Sequence, residues 1–388
     1  MVNAEHYPDG GEGIYVAVID TGLLDLWPFF FAHANIADEW GIGFTHDVYW
    51  DDDVGDIVIG PLRDDRGFIT GPLNSGHGTH VTSTIVGYRY ATTLGDFIVE
   101  GVAPRVTIIP VLALDAWVVD TPGGLVGLAG GTSAMIAAAI NYVADLAEAE
   151  DIKIVANMSF GSGAPSPLVK EAIDYAISKG VILVASAGNS GYEGMGWPGA
   201  FDEVISVAAG GWTEQWIGHP LFGVPGWDNP LWWLNDVPEN LMTEDYWGNK
   251  RQMYLEDFSS RPNKDLGQKP FHLDVTTPGA SIVGPYKPYF SAAVGYYYLW
   301  GTSMAAPHVA GIAAIVLEKY PHLDQFQMEF ILKNAARGLP LPASGAYVLE
   351  PWGLWFFEWF GDDYGAGWLT ADRAMARADV LARLGFRA

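Results

Sequence analysis

Short apolar runs alternate with helical patterns along most of this chain. Tyr15–Asp20, Val106–Leu112, Ile152–Ser159, Val181–Ala187 and Val204–Val207 read as buried strands that stop at turns. Between them, Gly78–Val86, Ser133–Ala149, Pro167–Lys179 and Met304–Lys319 carry helical periodicity. Apolar strands alternating with helices predict an α/β fold, a parallel twisted sheet with helices on both faces. Right-handed crossovers follow, with a functional site at the carboxyl ends of the strands.

Candidate chemistry falls where this pattern changes. Asp20 ends one strand, His77 opens a helix, and Ser303 stands at the start of another. The segment after it, Val309–Tyr320, is almost wholly apolar and is expected to run through the core. Pro307 is expected in that helix's first turn, where its missing N–H costs little. A nucleophile at a helix N-terminus feels the positive end of the dipole.

Two stretches break the alternation. Residues 39–72 carry Asp47, Asp51, Asp52, Asp53, Asp56, Asp64 and Asp65. Residues 211–256 hold Trp212, Trp216, Trp227, Trp232, Trp233 and Trp247 with several prolines. Both read as insertions, one acidic and one Trp/Pro-rich, into a single domain spanning 1–388. The Trp-rich insert is read as packing over the core, with a protein interface or an extended substrate groove as alternatives. A third aromatic patch, Trp352 to Phe360, precedes a final helix at Thr370–Leu384. No internal repeat is apparent.

Composition narrows the function. With 49% hydrophobic and 17% charged residues, the 388-residue chain is globular rather than disordered. No apolar run reaches the ~18 residues of a membrane-spanning helix. Met1–Gly13 is polar and Gly-rich, with no signal-peptide pattern. Cysteine is absent, which removes disulfides and thiolate–metal sites. The net charge of −26 argues against nucleic acid as partner. It arises mainly from scarce bases, 20 Lys and Arg against 46 Asp and Glu. A surface of that kind suits high salt, or low pH where protonated carboxyls no longer repel.

Three distant segments then read as one site: Val-Ala-Val-Ile-Asp20-Thr-Gly, Ser-Gly-His77-Gly-Thr-His-Val and Gly-Thr-Ser303-Met-Ala-Ala-Pro-His. Each alone has a plainer reading. A strand-ending Asp is often a cap, and Gly-Thr-Ser is a common turn. His77 and His80 could suggest a metal pair, but no third ligand stands at a convincing spacing. His80 and His308 are read as packed core histidines. Together, however, the segments supply an acid, a base and a nucleophile. A serine hydroxyl needs an adjacent base, and the base needs an orienting anion. The order Asp, His, Ser is one of those in which unrelated serine hydrolases carry such a triad.

On these motifs the chain resembles a subtilisin-like serine protease, over roughly residues 13–210 and 257–384. The resemblance implies a three-layer α/β/α catalytic domain and endopeptidase action through an acyl-enzyme. Asp20, His77 and Ser303 would form the triad. Asn189, in Val184-Ala-Ser-Ala-Gly-Asn189-Ser190, would donate to the oxyanion beside the Ser303 N–H. Ser159, Phe160 and Gly161 resemble the strand that lines the primary pocket, Ala187 and Gly188 its other wall, and Gly196 its floor. That pocket is expected to take large apolar or aromatic residues. A second substrate-binding strand is expected after Leu112, with Gly123 and Gly124 as candidates. The family also implies polypeptide substrates, a cleaved N-terminal propeptide, an extracellular location and bound structural calcium. No cofactor is required for the chemistry. The family's calcium loop is not matched at Tyr88–Phe97, leaving Asp51, Asp53 and Asp56 as weak metal candidates. A catalytically silent peptide-binding scaffold and a transpeptidase are the alternatives.

Overall fold

The structure, a computed structural model, describes residues 2–92, 95–213, 215, 253–342, 344–350 and 352–384. Its centre is one sheet. Strands β1 (Tyr15–Asp20), β2 (Ile42–Gly43), β3 (Thr107–Leu112), β4 (Ile154–Met158), β5 (Ile182–Ser186), β6 (Ile205–Trp212), β7 (Met253–Leu255) and β8 (Val275–Pro278) lie in it. The order is β7-β6-β5-β4-β1-β3-β2, with β8 also paired to β6. All pairs are parallel except β6 with β7.

Strand β1 shows why these runs are apolar throughout. Val16 and Val18 enter one core cluster, while Ala17 and Ile19 enter the other. A strand covered on both faces needs apolar side chains at every position, so no alternation marks it. Helices α2 (Ser133–Glu150) and α3 (Pro167–Ser178) cover the Ala17 face. Helices α1 (His77–Val86), α4 (Thr302–Lys319), α5 (Gln325–Ala336) and α6 (Ala371–Arg383) cover the other. Polar caps set several helix starts. Thr132 and Ser166 accept from N–H groups in the first turns of α2 and α3, and Asp324 with Gln327 forms a reciprocal capping box on α5.

The chain leaves β1 for one side of the sheet and later crosses to the other, so β3 and β4 flank β1. Such a reversal opens a crevice at the strands' carboxyl ends. Asp20 ends β1 there.

The two inserts are smaller than the sequence suggests. Ile42–Gly43 is a core edge strand, and the acidic stretch beyond it folds as a hairpin, Thr45–Asp51 with Asp56–Arg63. Gly211 and Trp212 continue β6 and pair with Tyr254 and Met253. The rest of the Trp-rich stretch, including Trp216, Trp227, Trp232, Trp233 and Trp247, lies outside the described residues. Further hairpins, at Gly87–Glu100, Asp115–Gly130, Ile282–Leu299 and Ala346–Phe357, were not legible as strands. Gly123 stands at the turn of the second of these, and Gly124 opens its second strand, paired with Thr121. Among the described residues no helix is long and apolar enough to cross a membrane.

Candidate active site

Asp20 is fully buried at the end of β1. Both its carboxylate oxygens meet His77 Nδ1, at 2.8 and 2.9 Å, and one also accepts the Thr21 N–H at 2.7 Å. Two contacts to one ring nitrogen hold the imidazole plane and leave Nε2 facing away from Asp20. Thr21 Oγ1 accepts from the Gly78 N–H at 2.9 Å, tying the start of α1 to the end of β1. Gly78 allows this approach: a Cβ there would lie 2.4 Å from the Gly22 carbonyl oxygen. Burial pushes the His77 pKa down, but the charge and hydrogen bond of Asp20 outweigh it, and the net shift is upward. Asp20 thus favours the imidazolium.

Ser303 is the second residue of α4. Its N–H, at the helix start, has no hydrogen-bond partner among the described residues, and Gly301 O accepts from Met304 N. Its Oγ donates to the Ser159 carbonyl at 2.9 Å, and no hydrogen bond joins it to His77 among the described residues. Catalytic hydrogen bonds are often unformed before substrate arrives. A turn about χ1 frees this hydroxyl from Ser159.

Pro307 stands in the second turn of α4, not the first. It cannot donate to the carbonyl four residues back, which belongs to Ser303. Ser159 Oγ takes that role, donating to the Ser303 carbonyl at 2.8 Å. Ser159 therefore contacts Ser303 through both its hydroxyl and its carbonyl and holds it in place, and it is not among the residues that line the cleft described below.

Asn189 follows the end of β5. Its Oδ1 accepts from Thr302 N and Thr302 Oγ1, both at 2.9 Å. This anchors the amide and leaves Nδ2 without a hydrogen-bond partner among the described residues. Two free donors, Asn189 Nδ2 and Ser303 N–H, therefore flank the same cleft. Gly188 sits at φ +107°, and a Cβ there would lie 2.9 Å from Ser260 Oγ.

A cleft of about 330 Å³ opens beside Ser303 and Asn189. Phe160, Gly161, Gly188 and Gly196 line it, as the sequence suggested, with Met195, Glu193 and Leu266 added. Ala187 does not line it; it is fully buried in the core and shapes the wall through its carbonyl, which accepts from Gly196 N at 2.8 Å. Ser162 and Trp197 exchange backbone hydrogen bonds at 2.8 and 3.0 Å, stapling the two walls at one end. Met195, Glu193 and Leu266 were missed because each comes from a loop or a single 3-10 turn with no pattern of its own.

The neighbouring histidines are structural. Burial and the charge of His77 push His80 down to about 3, and burial pushes His308 down to about 4. Among the described residues no group of three or more His, Asp or Glu side chains converges as a metal site. Asp51, Asp53 and Asp56 form no such group. They lie at the tip of the acidic hairpin, where Asp51 accepts from the N–H groups of Asp53 and Val54, and Asp56 from that of Ile57.

Comparison with known proteins identifies the family. The model of the family described as the subtilase family matches residues 11–353. A subtilisin from Bacillus sp. (strain TA39) is 30% identical over 364 residues, covering 92% of this chain and 66% of that protein. Subtilisin DY from Bacillus licheniformis is 28% identical over 342 residues, covering 87% of this chain and 88% of that protein. The chain thus spans just under two thirds of the first relative. Among solved structures, sphericase is similar at a TM-score of 0.57 and 27% identity, covering 93% of this chain and 92% of that one. The S41 psychrophilic protease is similar at a TM-score of 0.56 and 26% identity, with the same coverage.

Proposed function

The chain belongs to the subtilase family, and on that premise we propose that it is a serine endopeptidase working through an acyl-enzyme. Two observations carry the reading: a buried carboxylate grips His77 Nδ1 at 2.8 Å, and a cleft presents Ser303 together with two N–H donors that have no partner among the described residues. Ser303 Oγ attacks the scissile carbonyl while His77 Nε2 takes its proton. Asp20 holds the tautomer and stabilises the imidazolium. The tetrahedral oxyanion lies between Asn189 Nδ2 and the Ser303 N–H, donors set in place before the charge develops. His77 then protonates the leaving amine, and water repeats the sequence on the ester.

The cleft between Phe160–Gly161 and Gly188–Gly196 takes the side chain before the cleaved bond. Its glycine-lined walls leave room, and Phe160, Met195 and Leu266 add apolar surface, so large apolar or aromatic residues are preferred. Glu193 is the charged group in the lining and gives Lys a secondary place. The substrates are polypeptides, and the site of action is extracellular, with an N-terminal propeptide removed on maturation. The test is hydrolysis of a peptide library by the wild type, Ser303→Ala and His77→Ala. Cleavage after Phe, Leu and Tyr, lost in both variants, is expected. Cleavage only after Lys or Arg would refute the pocket, and unchanged cleavage in Ser303→Ala would refute the mechanism.

A further inference from the structure

The loop that delivers His77 is built around a cation. Residues 71–76 form no regular structure, yet their carbonyls converge on Lys287 Nζ. Pro72 O accepts at 2.9 Å, Asn74 O closer still, and Gly71 O at 3.5 Å, while Ser291 O closes the far side at 3.4 Å. An ammonium carries three N–H donors and no acceptor, so a shell of carbonyls is its complement. Lys287 is only 6% exposed. Burial pushes its pKa down, and of the described carboxylates only Asp25 acts against this, through space. A buried charge without an ion-pair partner is costly unless dipoles surround it. Here backbone carbonyls do so; among the described residues Pro72 O, Asn74 O and Ser291 O have no other donor, while Gly71 O also accepts from Asn74 N at 3.2 Å.

The same residue touches the loop a second way. Lys287 O accepts from the Gly76 N–H at 2.8 Å, one residue before His77. Phe290 N donates to Leu73 O at 2.9 Å, so the turn of the Ile282–Leu299 hairpin is stitched to the loop at three levels. On the other side, Asn74 Nδ2 donates to Leu114 O at 2.8 Å, and the N–H groups of Ala113 and Leu114 both donate to the Asp20 carbonyl. The loop therefore hangs between the Asp20 strand end and the Lys287 hairpin, and its last residue sets where the imidazole begins.

We propose that Lys287 is a positioning residue for His77, its ammonium serving as a tethered cation that folds loop 71–76 into the shape that meets Asp20. The inference rests on His77 being the base. Failure of that reading would show as a folded wild type without turnover. Failure of the positioning role would show as Lys287 variants with wild-type turnover.

The chain has no cysteine, which permits a clean test. Lys287→Cys introduces a single thiol, and aminoethylation rebuilds a side chain of lysine's length ending in an ammonium. Hydroxyethylation gives a neutral side chain of the same length. Lys287→Cys is expected to lower kcat roughly tenfold to a hundredfold, as small misplacements of a catalytic group do. KM should stay within about threefold, as for loss of a contribution to the transition state only. Aminoethylation should restore kcat, and hydroxyethylation should not. Recovery with both adducts, recovery with neither, or no initial loss overturns the proposal. Lys287→Met, which keeps length and packing, covers the case in which the cysteine variant does not fold. A folded Lys287→Met with wild-type kcat also overturns it.

Discussion

Tyr254 holds two acids on one hydroxyl, and stability should follow their titration. Its oxygen lies 3.0 Å from Glu256 Oε1 and 3.1 Å from Glu350 Oε1, and it also accepts from Gln215 Nε2 at 3.3 Å. One hydroxyl proton cannot serve both carboxylates, so at least one carboxyl must itself donate. Both glutamates are 2% exposed. Burial pushes Glu350 up from 4.5 to about 7, against the hydrogen bonds of Tyr254 and Trp300. Burial and the Glu350 charge push Glu256 well above its usual range. The folded state therefore binds these protons more tightly than the unfolded chain does. Stability is full below about pH 4.5 and falls as pH rises through the folded pKa. For Glu350 the slope is about 1.4 kcal/mol per pH unit, and the loss is about 3 kcal/mol by pH 8. Glu350→Gln keeps a hydrogen-bonding partner for Tyr254 and removes the titration. Urea unfolding between pH 4 and pH 8, in a Ser303→Ala background that prevents self-digestion, measures it. Wild type should lose about 3 kcal/mol more than Glu350→Gln across that range. Parallel profiles would refute the account of this cluster. Burial also raises Asp274, with Glu329 adding and Lys333 opposing, so the same trend is written elsewhere in the fold.

Other outcomes follow from the cleft. Asn189→Ala should lower kcat by ~10²–10³ with little change in Tm, since it removes one oxyanion donor; full activity would end that assignment. The acid limb of kcat/KM should have its midpoint above the ordinary histidine value of ~6.5, because the Asp20 charge outweighs burial at His77. Activity is then lost as pH falls through that midpoint, and a limb near pH 5 would contradict the pairing. Gly196→Leu should shift cleavage from Phe toward Ala, because the new side chain starts 3.4 Å from Gly161 Cα and narrows the cleft. An unchanged preference in a peptide library would show that the pocket lies elsewhere.

Stability and activity thus pull toward different pH. The scarce bases and buried acids suit an acidic medium, whereas His77 must be neutral to work as a base. The sequence posed this conflict, and the structure sharpens it: Asp20 moves the His77 limb up, not down.

Legibility followed burial. Strands such as Tyr15–Asp20 and Ile182–Ser186 were readable because both faces are covered, which makes every position apolar. The hairpins were not, because only some of their residues, among them Tyr88, Tyr90, Val348 and Phe357, reach the core, and these fall at no regular spacing. Tyr88–Phe97 mixes polar and aromatic residues, and the Asp51–Asp56 turn is mostly acidic, so neither shows a clean period. Within the candidate site, Asp20, His77, Ser303 and Asn189 could be proposed from sequence because the chemistry proposed for them is in the side chain. Lys287 could not, since its partners are backbone carbonyls that have no signature in sequence. Ser159 was named for a wall and instead holds Ser303, a role created by the proline four residues further along α4.

The central claim, an activated Ser303, is tested most directly by intact-mass analysis after exposure to a serine-directed fluorophosphonate. The account predicts a single adduct on the wild type, absent from Ser303→Ala and His77→Ala. A folded wild type that takes no label, or a Ser303→Ala variant that still does, would contradict it.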